Sequence, residues 1–463
     1  MLPFLHGLEE IKKDITNKVG IRFDEYPLLI LGMALLIMSF VFMPDTVSLA
    51  LSIALFLAPL WLPYLLFRGA MKLWYVMRRS EFIANQKYVL LELKPPRNLV
   101  KTPLAMEAFL SGIHLTGGES TWYARFKGGI RPFYSLELAS FGGQVHFYVW
   151  TRANLRKIVE GQMYAQYPGM QIVEAPDYTR LISADPHEWS VWGCDFLSTN
   201  KNPLPIKTYV EYALDKVQKE PEQVDPLSNL IEFMSSIGKG ENVWLQFIIR
   251  SHQGERYGPS IGGKEGTRKN AEGKTYTWRD EGKELIEEIR KKARNPYIDP
   301  ATGEERPGFP NPTKGESELM GAIDRNTTKL AFDVGVRGIY LAEPKKFNAA
   351  TITHMIALFK PFTNSGWNGI KASKWLMSFD DYPWEIGVEK RKHHYREELV
   401  ERFRRRQFFY DPFFHDGLFG DETMILSTEE LATVYHIPSQ SVQAPGLERI
   451  HSATGEAPAN LPV

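Results

Sequence analysis

The sequence predicts an α+β protein in which an N-terminal two-helix transmembrane hairpin is followed by ferredoxin-like βαββαβ domains. Three observations carry this reading. Residues 27–67 hold a single charged side chain, Asp45, in an otherwise apolar run. From residue 88 onward, strand-like and helix-like runs succeed one another in the order β-α-β-β-α-β. Turn residues punctuate that order where it needs them, at Pro95-Pro96, Gly142-Gly143 and Pro168-Gly169.

The apolar run is long enough for two crossings at roughly 20 residues each. Pro44-Asp45-Thr46 interrupts it near the centre, where proline disfavours helix at the preceding residue and aspartate prefers water. Two spans are therefore expected over 27–43 and 47–67, joined by a short loop. Lys12, Lys13, Lys18 and Arg22 precede the run, Arg68, Lys72, Arg78 and Arg79 follow it, and the turn carries neither Lys nor Arg. By the positive-inside rule the protein is then a multi-pass protein of the cell membrane, with both termini and the soluble domains cytoplasmic. Trp61, Tyr64, Trp74 and Tyr75 fall where an interfacial aromatic belt would lie. Residues 1–26 read as a cytoplasmic amphipathic segment and lack the pattern of a cleaved signal peptide. Lys+Arg and Asp+Glu balance at 55 each, so no global field draws the chain to nucleic acid. The lone Cys194 excludes an intrachain disulfide.

Residues 68–86 continue as a helix, and residues 68–180 form the first α+β domain. Its strand at 88–94 (YVLLELK) stops at the two prolines. Thr102-Pro103 is a cap followed by an N1 proline, opening a helix through Met106, Phe109, Leu110 and Ile113. Strands at 132–139 and 144–150 flank the Gly-Gly hairpin, a helix spans 151–167, and a short strand ends at 175. Residues 181–388 make a second α+β domain. It has strands at 189–196 and 206–213, a helix at 226–237 and a strand at 242–251. A polar insertion at 254–315 follows, rich in Gly, Lys, Glu and Pro, with a charged helix over 280–294. A helix at 316–328, a strand at 329–341, a helix at 347–362 and a strand near 369–372 repeat the first plan. Residues 389–463 hold a basic helix, a strand at 424–426, a capping box at Ser427-Thr428-Glu429-Glu430 that opens a short helix, and an extended tail.

Few patterns that carry chemistry are present in the sequence. Gly258 to Lys264 satisfies the spacing of a phosphate-binding loop, but Glu265 stands where a magnesium-binding Ser or Thr belongs, and no helix follows directly. No HExxH, GxSxG, strand-to-helix GxGxxG or Cys/His metal spacing is present, and the adjacent His393 and His394 point to different sides of a helix. The sequence predicts a chain that is not an enzyme, with no cofactor, no metal and no small-molecule substrate. What remains is the basic helix. Lys390, Arg391, Lys392, Arg396, Arg402, Arg404, Arg405 and Arg406 face only three glutamates between residues 390 and 406. They are candidates for contact with nucleic-acid or lipid phosphate, with Tyr395, Phe403, Phe408, Phe409 and Tyr410 available to stack on bases. The plainer reading is a solvated face laced by i,i+4 pairs such as Glu398–Arg402.

The hairpin followed by YVLLELKPPRNLVKTPLAME, then FGGQVHFYVWTRANLRKIVEGQMYAQYPGMQIVEAPDYT, resembles the membrane-anchored N-terminal region of coupling-protein-like, FtsK-like ATPases of type IV secretion and conjugative DNA transfer. MILSTEELATVYHIPSQSVQAPGLERIHSATGEAPANLP resembles the segment that leads into their motor domain. The motor itself is not found before Val463, so the resemblance carries over no ATPase site. It implies a non-catalytic, membrane-anchored scaffold that self-associates and docks or assembles a separate motor ATPase. The alternative is a membrane-tethered nucleic-acid-binding module that uses the basic helix, residues 390–410, on DNA.

Overall fold

The computed structural model describes residues 25–119, 121–182, 185, 187–215, 224–253, 276–298, 305–376, 387–410, 423–440, 442 and 444–450. The loop at 258–265, the N-terminal residues 1–24 and the tail beyond residue 450 lie outside the described residues.

The apolar run does not form the predicted transmembrane hairpin. It divides into α1 (Glu25–Phe42), α2 (Pro44–Phe56) and the first part of α3 (Ala58–Ala84). Among the described residues no single helix is long and apolar enough to cross a membrane. Gly32–Phe42 and Pro44–Ile53 pass that test only as a pair, and the pair is bent by 105°. The two spans and the multi-pass placement are corrected accordingly. The physical reason lies at Pro44, which occupies the first turn of α2, where its missing N–H is not needed. The proline therefore starts a new helix at an angle to the first instead of opening a loop between two long ones. The apolar side chains of this arm stay uncovered, with Val41 68%, Phe56 83% and Leu60 76% exposed. Only the far half of α3 reaches the body, where Val76 is buried and the Trp74 indole N–H donates to the Phe126 carbonyl.

Nor are there separate ferredoxin-like domains. The strands are β1 (Tyr88–Lys94), β2 (Phe133–Phe141), β3 (Gln144–Arg152), β4 (Gln171–Ala175), β5 (Ser190–Ser198) and β6 (Glu241–Ser251). A two-stranded hairpin, β7 (Arg294–Ile298) and β8 (Glu305–Pro310), stands apart from β9 (Ala331–Ala342), β10 (Ile370–Trp375) and β11 (Met424–Ser427). All but β7 and β8 join one nine-stranded antiparallel sheet in the order β10-β5-β9-β6-β2-β3-β1-β4, with β11 paired to β9. The order β4-β1-β3-β2 thus recurs as β10-β5-β9-β6, and the halves fuse where β2 and β6 pair from Phe133↔Arg250 to Phe141↔Asn242. Two strands buried on both faces have no reason to stop pairing at a domain boundary.

One face of the sheet presents Leu136, Leu138, Phe147, Val149, Leu245 and Phe247, all buried. The helices on this face include α4 (Pro103–Gly112) and α6 (Arg156–Gln166) to either side of the five-residue α5 (Trp122–Phe126). Further along the chain come α7 (Leu227–Ser235), α8 (Trp278–Lys292), α9 (Lys314–Thr328) and α10 (Ala349–Ala357). The other face carries α11 (Val388–Arg405), whose Leu399 fills the space over Gly193 and whose Phe403 meets Trp244 at 5.7 Å. Phe408, just past α11, lies flat over Gly335, and a methyl group at that position would meet its ring at 2.3 Å. Residues 206–213, expected as a strand, are turns instead. Pro203 and Pro205 precede them, and their donors go to α12 (Thr428–Val434): the Ile206 N–H to Glu430 at 3.0 Å and the Tyr209 N–H to Thr433 at 3.0 Å.

α12 is held at its far end by an ion pair. His436 sets Nδ1 2.9 Å from the Ala432 carbonyl and Nε2 3.0 Å from Asp225. Both ring nitrogens face acceptors, so both carry hydrogen and the ring is an imidazolium. Burial works against that charge, but Asp225 outweighs it and raises the His436 pKa. Burial likewise opposes the Asp225 anion, while His436 holds its carboxyl below the usual range. The histidine contribution is present below about pH 6.5 and is lost as pH rises through its folded value. The aspartate contribution is present above about pH 3.9 and is lost as pH falls through its own. The pair is thus at full strength between these limits. Replacing Asp225 with Asn should cost about 3–5 kcal/mol near pH 5.5 and less at alkaline pH, read by urea unfolding across pH.

Candidate functional site

The cations singled out in the basic helix divide into two groups along α11. Lys390 is exposed; Arg391, Lys392 and Arg396 are half-buried; Lys392 reaches Glu389 at 3.5 Å. Arg405 is exposed and pairs with Glu401 at 2.6 Å. Arg402, Arg404 and Arg406, by contrast, face the protein. Arg402 is buried and paired with Glu398 at 2.7 Å. Arg404 donates to the carbonyls of Thr179, at 3.2 Å, and Ile182. Arg406 is the most enclosed of the eight, at 1% exposure, and its forked guanidinium straddles two carboxylates. It meets Glu137 at 2.9 and 3.2 Å and Asp177 at 2.6 and 3.0 Å.

Glu137 belongs to a row of polar side chains that crosses the sheet under α11. Pairing places Asp195 (β5) beside Arg337 (β9), Arg337 beside Gln246 (β6), and Gln246 beside Glu137 (β2). The row continues from Glu137 to Tyr148 (β3) and on to Glu92 (β1). Its members bond sideways and upward. Arg337 reaches Asp195 at 2.8 Å, and the Gln246 amide donates to Glu137 at 3.2 Å and to the Phe403 carbonyl at 3.0 Å. The Tyr178 hydroxyl donates to Glu137 at 2.6 Å. The end of α11 is therefore bolted to the sheet by charge and by carbonyl contacts. Burial disfavours the Asp177 anion, yet the Arg406 bonds hold its carboxyl below the ordinary range. A cavity of about 10 Å³ beside this bolt, lined in part by Thr179, Trp244, Phe403 and Arg404, has room for one water and no substrate.

The aromatic residues after α11 are engaged as well. Arg250 lies over the rings of Phe409, at 4.7 Å, and Tyr410, at 5.4 Å, and bridges to Asp333 at 2.8 Å. The Tyr410 hydroxyl donates to Glu119 at 2.5 Å.

A different group appears at the other end of the polar row. Glu92 (β1), His146 (β3) and Glu448, from the segment that follows α12, bring their ligand atoms within 4.8 Å of one another. His146 Nδ1 is 2.8 Å from Glu92 and 3.2 Å from Glu448. That contact, against the opposing effect of burial, keeps the Glu92 carboxyl below its usual range. Only the β1–β3 register and the return of the chain end bring the three together, so no local spacing announces them.

A family model described as a domain of unknown function, DUF8128, matches residues 79–449. The chain belongs to the DUF8128 family. No curated protein matches it. The DUF8128 span opens inside α3 and closes just after Glu448, so it holds the whole sheet, α11 and the bolt, and leaves out α1 and α2.

If Arg406 is structural, Arg406→Ala strands two buried carboxylates and should cost about 3–5 kcal/mol in denaturant unfolding. Alanine at Lys390, Arg391 and Lys392 together should shift stability by only about 0.5 kcal/mol each.

Proposed function

We propose that this DUF8128 chain is a non-catalytic scaffold subunit of a type IV secretion or conjugation-like apparatus. It self-associates through its apolar arm and presents its α+β body to a separate motor ATPase. The observation that carries this reading is the arm itself. α1, α2 and the first part of α3 leave large apolar side chains uncovered along their length, among them Leu35 at 58%, Leu51 at 48%, Phe56 at 83% and Leu60 at 76%. Exposed apolar surface on this scale marks an interaction site. Because it lies on several sides of the helices, arms gathered from neighbouring copies cover it better than one groove could. The sequence resemblance supplies the apparatus and the motor, and the lack of a complete catalytic motif supports a role without chemistry of its own.

The nucleic-acid reading of the basic helix draws less support. Arg402, Arg404 and Arg406 are spent on protein partners, and Phe408, Phe409 and Tyr410 pack inward. Of the eight cations only Lys390 and Arg405 are exposed, and Arg405 already pairs with Glu401 at 2.6 Å.

The test uses the full chain and a triple variant, Leu35→Asp, Leu51→Asp and Leu60→Asp, in sedimentation velocity. It is paired with co-purification against the type IV secretion motor ATPase of the same genome. The wild type should sediment as a multimer and retain the motor, and the variant should be monomeric with unchanged circular dichroism. A monomeric wild type, a wild type that partitions onto lipid vesicles instead of self-associating, or failure to retain the motor would overturn the proposal.

A further inference from the structure

We propose that Glu92, His146 and Glu448 form a binding site for a divalent metal of the zinc class, which fastens the chain segment at residues 444–450 to the sheet. This inference is independent of the scaffold reading.

Two carboxylate oxygens, Glu92 Oε1 at 2.8 Å and Glu448 Oε2 at 3.2 Å, converge on the single nitrogen His146 Nδ1. One N–H serves one acceptor well, so three electron-rich atoms crowd around one proton. A metal ion in place of that proton would use all three. Tetrahedral zinc holds nitrogen and oxygen ligands at about 2.1 Å, which places them about 3.4 Å from one another. The 3.2 Å contact already has that spacing, and the 2.8 Å contact reaches it by a movement of about half an ångström.

Lys94 strengthens the case by the oxygens it chooses. Its ammonium lies 3.0 Å from Glu448 Oε1 and 3.6 Å from Glu92 Oε2, the oxygens that do not face the histidine. It therefore aims the other oxygen of each carboxylate at His146 Nδ1. Fixing ligand orientation from outside in this way is a regular feature of metal sites. The scaffold beneath is stiff, because Glu92 and His146 stand on adjacent paired strands. Glu448 is held by the backbone around it: the Val145 N–H donates to the Gly446 carbonyl at 2.8 Å, the Arg97 N–H to the Ile450 carbonyl at 3.1 Å, and the Ile450 N–H to the Pro95 carbonyl at 3.0 Å. Arg449 adds bonds to the carbonyls of Ser439 and Val442. Gly446 packs so closely on Gly143 that no side chain fits between them.

The donor set decides the class of metal. One imidazole with two carboxylates suits zinc and its first-row neighbours better than magnesium or calcium, which prefer all-oxygen shells. Glu448 is 44% exposed, which leaves the fourth position open to water.

The test is calorimetric titration of the full, chelator-treated chain with Zn²⁺, together with hydrogen exchange over residues 444–450. One ion should bind per chain, and exchange at the Gly446 to Ile450 amides should slow on its addition. His146→Ala and Glu448→Gln should each weaken binding at least tenfold and abolish the slowing. Glu448→Gln alters an exposed side chain, so it serves even if His146→Ala fails to fold. A double variant at His393 and His394 should bind like the wild type. No saturable binding, binding that survives Glu448→Gln unchanged, or slowing lost only in the His393/His394 variant would overturn the proposal.

Discussion

Arg406 between Glu137 and Asp177 is the contact on which the arrangement of this molecule turns. A guanidinium at 1% exposure is costly to bury, and so are the carboxylates it meets. The fold accepts all three because the geometry is bidentate on both sides. The backbone bends to allow it: Arg406 has φ +48°, a left-handed conformation that costs a non-glycine residue about 1 kcal/mol. That turn ends α11 and drops the guanidinium onto the sheet. Phe403, Gln407 and Phe408 then fall over β6 and β9, and the chain that follows is steered towards Arg250 and Glu119. Without the bolt, α11 would lose its buried ion pair with the sheet and keep the apolar packing of Leu399, Val400 and Phe403 and the carbonyl bonds of Arg404.

The same contact explains how a helix so basic in composition can be built into the body of the protein near its C-terminal end. Charge counting along 390–406 treats the cations alike. The fold separates them by their partners: Arg404 and Arg406 reach Thr179, Ile182 and Glu137, while Lys390 and Arg405 stay exposed. The row itself, from Asp195 through Arg337, Gln246, Glu137 and Tyr148 to Glu92, exists only through strand register. Each member has apolar residues or glycine as its immediate neighbours in the strand, and reads there as an isolated polar intrusion. Its buried charges are tolerable because each is answered by a neighbour from another strand or from α11.

Local punctuation was legible and three-dimensional pairing was not. YVLLELK ends at two prolines, and β1 has the limits that pattern implies; Gly142-Gly143 turns β2 into β3; Ser427 and Glu430 form the capping box that opens α12. The errors share one cause. In sequence Pro44 reads as a breaker between two spans, yet at the first turn of a helix it is an initiator, and the run forms helices set at an angle. Residues 206–213 have the composition of a strand, yet their donors were claimed by Glu430 and Thr433 from far along the chain. Two strand blocks with similar order read as separate domains because nothing in β2 or β6 alone reveals that each is the other's partner. In the same way Glu92, His146 and Glu448 carry no mutual spacing to notice.

The claim that Arg406 and Glu137 lock α11 to the sheet is tested most directly by a double-mutant cycle on that pair. Arg406→Met, Glu137→Gln and the double variant would be compared by equilibrium unfolding of the full chain. The account predicts a favourable coupling of about 2–3 kcal/mol, so that the double variant is markedly less damaged than the sum of the two single changes. Additive effects, with a coupling near zero, would contradict it.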